Sequence, residues 1–169
     1  MKRTLSLFLA VCLCSLLAHA EDYAAAPDAL QTALFLKLLG FDKTLAKDAK
    51  LYVLGADGFA AEIKKQVGTP VGSSSMLAQV DGGATLPSEP PNILYIGETA
   101  LGADALKYAA DNKIITISGN PKALATGASL AVVISTADGK PRVLLNPKTS
   151  KAEGVDWNPA IMKLATVVQ

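Results

Sequence analysis

Short apolar runs, each closed by a glycine or proline turn and followed by a helical spacing, set the rhythm of the middle of the chain. Leu51 to Leu54 is such a run, Gly55-Ala56-Asp57-Gly58 turns it, and Phe59, Ile63 and Val67 then fall on one helix face. The unit recurs as Ile93 to Ile96, Thr99 as the expected N-cap, and Leu101, Ala105 and Tyr108 as the inward face. Ile114 to Ser118 is a third run. Unbroken apolar strands alternating with helices predict a parallel sheet covered on both faces.

Other elements flank this centre. PDALQTALFLKLLGF predicts a helix with Asp28 and Gln31 in capping-box spacing and Gly40 as its stop. Its Leu30, Leu34 and Leu38 recur every four residues, and Ala33, Phe35 and Phe41 widen the stripe beyond what one buried face needs. That makes Leu30, Leu34, Phe35, Leu38 and Phe41 a candidate protein interface. From Gly68 to Pro91 the periodicity weakens: a short strand is expected near Met76 to Val80 and a loop from Gly82 to Pro91. SLAVVISTADGKPRVLLN reads as a hairpin about Asp138-Gly139, with Pro141 at the start of its second strand. Asn158-Pro159 opens an expected last helix carrying Ile161, Met162, Leu164, Ala165 and Val168.

The first 20 residues differ in kind. Lys2 and Arg3, an apolar core from Leu5 to Leu17, and Ala18-His19-Ala20 form a secretory signal pattern. The run falls short of the roughly 20 residues that span a bilayer, so no direct membrane span is expected after cleavage. A lipid-modified start at Cys12 or Cys14 is the rival reading. Cleavage after Ala20 removes both cysteines and the one histidine. The exported chain then has no disulfide, thiol nucleophile, imidazole base or His-based zinc site, and no Ser-His-Asp triad within one chain.

Charge narrows the partners. The 16 basic residues lose Lys2 and Arg3 while all 15 acids stay, a formal net charge of −1. The lysines are scattered, without the concentrated footprint that nucleic acid requires. The glycine turns at Gly55 to Gly58 and at Gly119-Asn120-Pro121 are the places to seek a phosphate, because turns and helix starts present free N–H groups. Neither matches GxGxxG or a Walker loop. Both read as construction, with Pro121 starting and Gly127 ending a short helix. Glu62, Glu98, Asp104 and Asp111 form no catalytic pair. No catalytic residue, metal or cofactor is expected.

LYVLGADGFAAEI, ILYIG, KIITISGNPKALATGASLAVVI, GKPRVLLN and WNPAIMKLATVV, in this order and spacing, resemble the YfiR-like family of bacterial periplasmic proteins. The resemblance implies a single three-layer α/β/α sandwich over residues 28–169, export to the periplasm and a homodimer. It also implies inhibition of a membrane diguanylate cyclase through that sensor's periplasmic domain. The family pattern carries over to Leu124, Gly127, Asn146, Leu164 and Ala165. Leu124 stands where an aromatic is usual, Ala128 replaces a second glycine, Gly119 replaces an aspartate, and a tryptophan–proline pair is missing around Leu45-Ala46. The expected function is a periplasmic regulatory binding protein; the alternative is a small solute-binding module.

Overall fold

The computed structural model describes residues 23–100 and 102–168. The expected signal segment, residues 1–20, and Leu101 lie outside the described residues. Among the described residues, nine strands and five α-helices follow in chain order: β1 (Tyr23–Ala25), α1 (Asp28–Leu39), β2 (Asp48–Leu54), α2 (Asp57–Lys64), β3 (Pro70–Val71), β4 (Ser75–Gly83), β5 (Ile93–Ile96), α3 (Ala103–Asn112), β6 (Ile115–Ser118), α4 (Lys122–Thr126), β7 (Leu130–Ser135), β8 (Pro141–Leu145), α5 (Pro147–Ala152) and β9 (Ala165–Val167).

The strands form one sheet in the order β3-β4-β2-β5-β6-β7-β8-β9. From β4 to β7 every pairing is parallel, and β8 runs antiparallel to β7. Strand β6 reaches β7 only at Leu130 and Ala131, and β1 takes the adjacent place along β7, antiparallel over Val133 to Ser135. This is the doubly wound order in which β2, first of the parallel set, has its successors on both sides.

The apolar runs sort their side chains alternately into two layers. Ile93 and Tyr95 of β5 join Leu51, Val53, Ile117 and Val132 beneath α1 and α2, with Phe35, Phe59 and Ile63 as fully covered helix residues. Leu94 and Ile96 point to the opposite face, where Ala105 and Ala109 of α3 and Ile114 cover them. Leu124 of α4 closes a third patch over Ala131, Val133 and Leu144. The chain is thus the expected three-layer α/β/α sandwich with a largely parallel sheet and a C-terminal hairpin.

Several local expectations are corrected. Asp28 and Gln31 form no capping box: α1 starts after Pro27 with no side-chain cap, and Gln31 is drawn into the interior. Helix α2 ends at Lys64, so Val67 is 47% exposed instead of lying on its buried face. Thr99 sits in a 3-10 turn, Glu98–Ala100, and α3 begins later, after Gly102. Strand β4 extends to Gly83 because β2 offers it a full-length parallel partner, so the loop starts after Gly83 and not at Gly82. Asn158 does cap, accepting the Ala160 N–H at 3.0 Å, yet it opens only a 3-10 turn, Pro159–Lys163. The β-branched Thr166 and Val167, stiff at χ1, then pair with β8 as a strand.

Candidate functional site

In doubly wound sheets ligands sit outside the carboxyl ends of the strands, where the strand order reverses. Here that point lies between β2 and β5. Thr99 Oγ1 ties the two following loops together by donating to Gly55 O at 3.4 Å. Beside this tie a cleft of about 330 Å³ opens over the ends of β5 and β6, walled by β1, Asp28, Glu98 and Lys122, with Gln31 and Tyr95 as its inner lining.

Tyr95 anchors the inner side. Its ring stacks on Phe59 at 3.8 Å and 15° and meets Phe35 edge-on at 6.2 Å. Its hydroxyl donates to Gln31 Oε1 at 2.8 Å, and Gln31 Nε2 donates to Ala26 O at 2.6 Å. The Gly119 N–H donates back to the Tyr95 oxygen at 3.3 Å. Burial above all pushes the phenol up to about 12; the Gly119 N–H opposes that rise, the Asp28 charge adds to it and the Gln31 bond opposes it. Tyr95 is therefore a neutral hydrogen-bonding post.

This chain of bonds explains the glycine turn. A side chain on Gly119 would land on the Gln31 amide, so glycine is required for packing. The turn's own donors are taken internally. The Asn120 N–H donates to Ser118 Oγ at 3.1 Å, Ser118 Oγ donates to Ile96 O at 2.6 Å, and Asn120 Oδ1 accepts the Lys122 N–H at 2.9 Å. Gly127 ends α4 at φ 116°. No backbone N–H from Gly119 to Ala123 is left to cradle a phosphate. The other turn is occupied too: a side chain on Gly58 would begin 2.5 Å from Asp28 Oδ2. The chain's own carboxylate thus lies against the first turn of α2, where an anion would otherwise benefit from the helix dipole.

A second polar cluster lies between α5 and the sheet. Glu153, 2% exposed, accepts from the Thr116 N–H at 3.0 Å, the Thr116 hydroxyl at 2.6 Å and the Ser129 hydroxyl at 2.5 Å. Burial raises its carboxyl to about 6, against the three hydrogen bonds that favour the charge. No local sequence signal marks Glu153, because its partners stand 37 and 24 residues away. Among the described residues no cluster of His, Cys, Asp and Glu is arranged to hold a metal.

The candidate interface on α1 divides in two. Phe35 is fully buried and Leu38 is 3% exposed, so both belong to the core beneath the helix. Leu30, Leu34 and Phe41 pack against that core only in part. Of the residues singled out by resemblance, Leu124 is core and Gly127 is a helix stop. Asn146 Oδ1 caps α5 by accepting the Thr149 N–H at 3.1 Å. Leu164 is 56% exposed, and Ala165 starts β9. Trp157 packs partly against the main core.

Among solved structures, a conserved domain protein from Vibrio cholerae is similar in fold, with a TM-score of 0.57 at 12% identity over 85% of this chain and 60% of that one. An ABC domain from Streptococcus pneumonia, solved in complex with L-Trp, gives a TM-score of 0.52 at 12% identity, again over 85% and 60%. The chain thus spans less than two thirds of the length of either. No curated protein matches the sequence. The YfiR/HmsC-like family description matches residues 29–166, from the second residue of α1 into β9. The chain belongs to that family, and by that membership it is a periplasmic protein.

Proposed function

We propose that the protein restrains a membrane diguanylate cyclase by binding that sensor's periplasmic domain, with the outer margin of α1 at the contact. The observation that carries the reading is the division of α1. Phe35 and Leu38 satisfy the core, yet Leu30, Leu34 and Phe41 remain partly uncovered beside them. A helix that needed only to pack on its own sheet would present polar residues there. Family membership supports the regulatory role.

The test is co-purification from native periplasm and inner membrane, followed by hydrogen–deuterium exchange over residues 30–41 with and without the recovered sensor. Protection of Leu30, Leu34 and Phe41 amides on assembly is expected, and Leu34→Glu should weaken capture while leaving the fold intact. Light scattering of the partner-free sample separates this from self-association. Equal protection in a monomeric, partner-free sample would place the whole helix face in the core and end the assignment.

A second reading rests on the cleft over β5 and β6. Its volume suits a molecule of amino-acid size, and Asp28, Glu98 and Lys122 offer both signs of charge. Stoichiometric recovery of a small ligand, with no membrane sensor, would put this reading first.

A further inference from the structure

Strand β7 is paired on one side by β8 over Leu130 to Ile134, but its other side is shared. Strand β6 covers Leu130 and Ala131, and β1 fills Val133 to Ser135. The filling is slight. Ser135 donates its N–H to Lys140 O and accepts the Gly139 N–H, both at 2.9 Å, so its backbone serves the hairpin. Backbone groups alternate in direction along a strand, so of the three register pairs only Ala24 and Ile134 exchange hydrogen bonds. Ala24 and Ala25 are exposed, and Tyr23 is half-buried against Leu124, Ala131, Val133 and Leu144.

The seat is also imperfectly met. Ser135 is fully buried opposite Tyr23, and its hydroxyl has no hydrogen-bond partner among the described residues. A buried polar group left so is a cost that β1 does not relieve. A fixed pivot lies just behind the strand. Ala26 O is held by Gln31 Nε2 at 2.6 Å, and Pro27, at φ −57° and ψ 141°, leads into α1. Tyr23, Ala24 and Ala25 can therefore leave as a unit, while β7 keeps its shape on β8.

We infer that the Val133–Ser135 side of β7 is an acceptor slot for an extended segment of the sensor's periplasmic domain, with β1 its resident and displaceable occupant. The inference rests on the proposed binding of that sensor. Adding a strand to a sheet supplies backbone hydrogen bonds, and side chains at alternate positions choose the partner. The slot asks for a hydroxyl or amide side chain opposite Ser135 and an apolar one opposite Val133, on the same face. Strand β1 supplies neither: Tyr23 leaves the Ser135 hydroxyl unbonded, and Ala25 offers one methyl group. Tyr23 to Ala26 wall the same cleft as Asp28 and Gln31 of α1, so the slot adjoins the helix proposed for the contact.

A fluorescent peptide with the sequence of residues 21–26, EDYAAA, is the probe, mixed with the exported protein in three forms. Besides the wild type, Ala24→Pro removes the β1 donor to Ile134 and should eject the strand. Ala25→Cys with Val133→Cys, an opposed pair between the hydrogen bonds where side chains come closest, locks it when oxidised. In anisotropy titrations Ala24→Pro should bind the peptide roughly tenfold or more tighter than the wild type, whose tethered β1 competes at high effective concentration. The oxidised lock should bind none, and reduction should restore the wild-type value. Capture of the sensor from inner membrane should follow the same order. Circular dichroism checks each fold; if Ala24→Pro unfolds, the lock decides. A folded Ala24→Pro that takes no peptide overturns the slot. Sensor capture indifferent to the lock overturns the inference while leaving the α1 contact standing; capture by none of the forms fails the sensor reading, and the inference with it.

Discussion

Gly119 and Gln31 depend on each other, and the dependence is measurable. Gly119→Ala would drive a methyl group into the Gln31 amide, an overpacking of about 1–3 kcal/mol. Shortening the amide in Gly119→Ala/Gln31→Ala should return part of that loss, giving a positive coupling in urea denaturation. Strictly additive losses would mean that the turn yields elsewhere. Glu153 makes a different prediction. Its folded carboxyl titrates near 6 against an ordinary 4.5, so the native state binds the proton more tightly. The contribution is full below about pH 4.5 and is lost as pH rises through about 6, in all about 2 kcal/mol. Glu153→Gln should flatten that slope in denaturation curves measured across the window; an unchanged slope would assign it to other groups. Neither residue declares itself in the sequence. Gln31 sits at capping-box spacing, yet Ala26 O and the distant Tyr95 hold its amide inside; Glu153 looks like any helix-end acid until Thr116 and Ser129 are brought to it.

Elements were legible where burial on both faces wrote an unbroken apolar run. Ile93–Ile96 and the hairpin strands stand where their runs and turns put them, with Pro141 first in β8. Where a neighbour decides the outcome, local spacing misleads. Ile161, Met162, Leu164 and Ala165 fit a helix by spacing, but the free edge of β8 turns the last of them into strand. Strand β1 has no local signature in Tyr23-Ala24-Ala25, since its place exists only because β6 stops short of Val133. Helix α1 was legible as a helix, while its inner and outer sides were not, because leucines ring it. The two sides separate by mutation. Phe35→Ala should cost about 3–5 kcal/mol, as expected for a fully buried aromatic, whereas Leu34→Ala should cost clearly less in the same thermal or urea melts. Equal losses would contradict the division of the helix.

For the whole molecule, the buried apolar surface lies in three clusters on the two faces of one sheet. Both glycine turns at the strand ends are filled by the chain's own atoms, Asp28 at one and Gln31 at the other. Saturating nucleotide, zinc or chelator should therefore leave the melting temperature where it was, since a ligand of the native state at a hundred times its Kd adds about 2.7 kcal/mol. Native mass spectrometry of the exported protein should show the polypeptide mass alone. A reproducible upward shift with any of these would reopen the turns as sites.

The place that β1 takes beside β7 has a consequence for how the protein is made. Tyr23 pairs with Ser135, so the earliest strand of the described chain waits for one of the latest before it can be paired. A polypeptide threading into the periplasm from its N-terminal end presents β1 and the leucine-ringed α1 long before β7 arrives. Contacts so far apart in sequence are slow to form, and apolar segments left uncovered meanwhile are prone to aggregate. Until the last third of the chain has emerged, β1 has no strand to pair with.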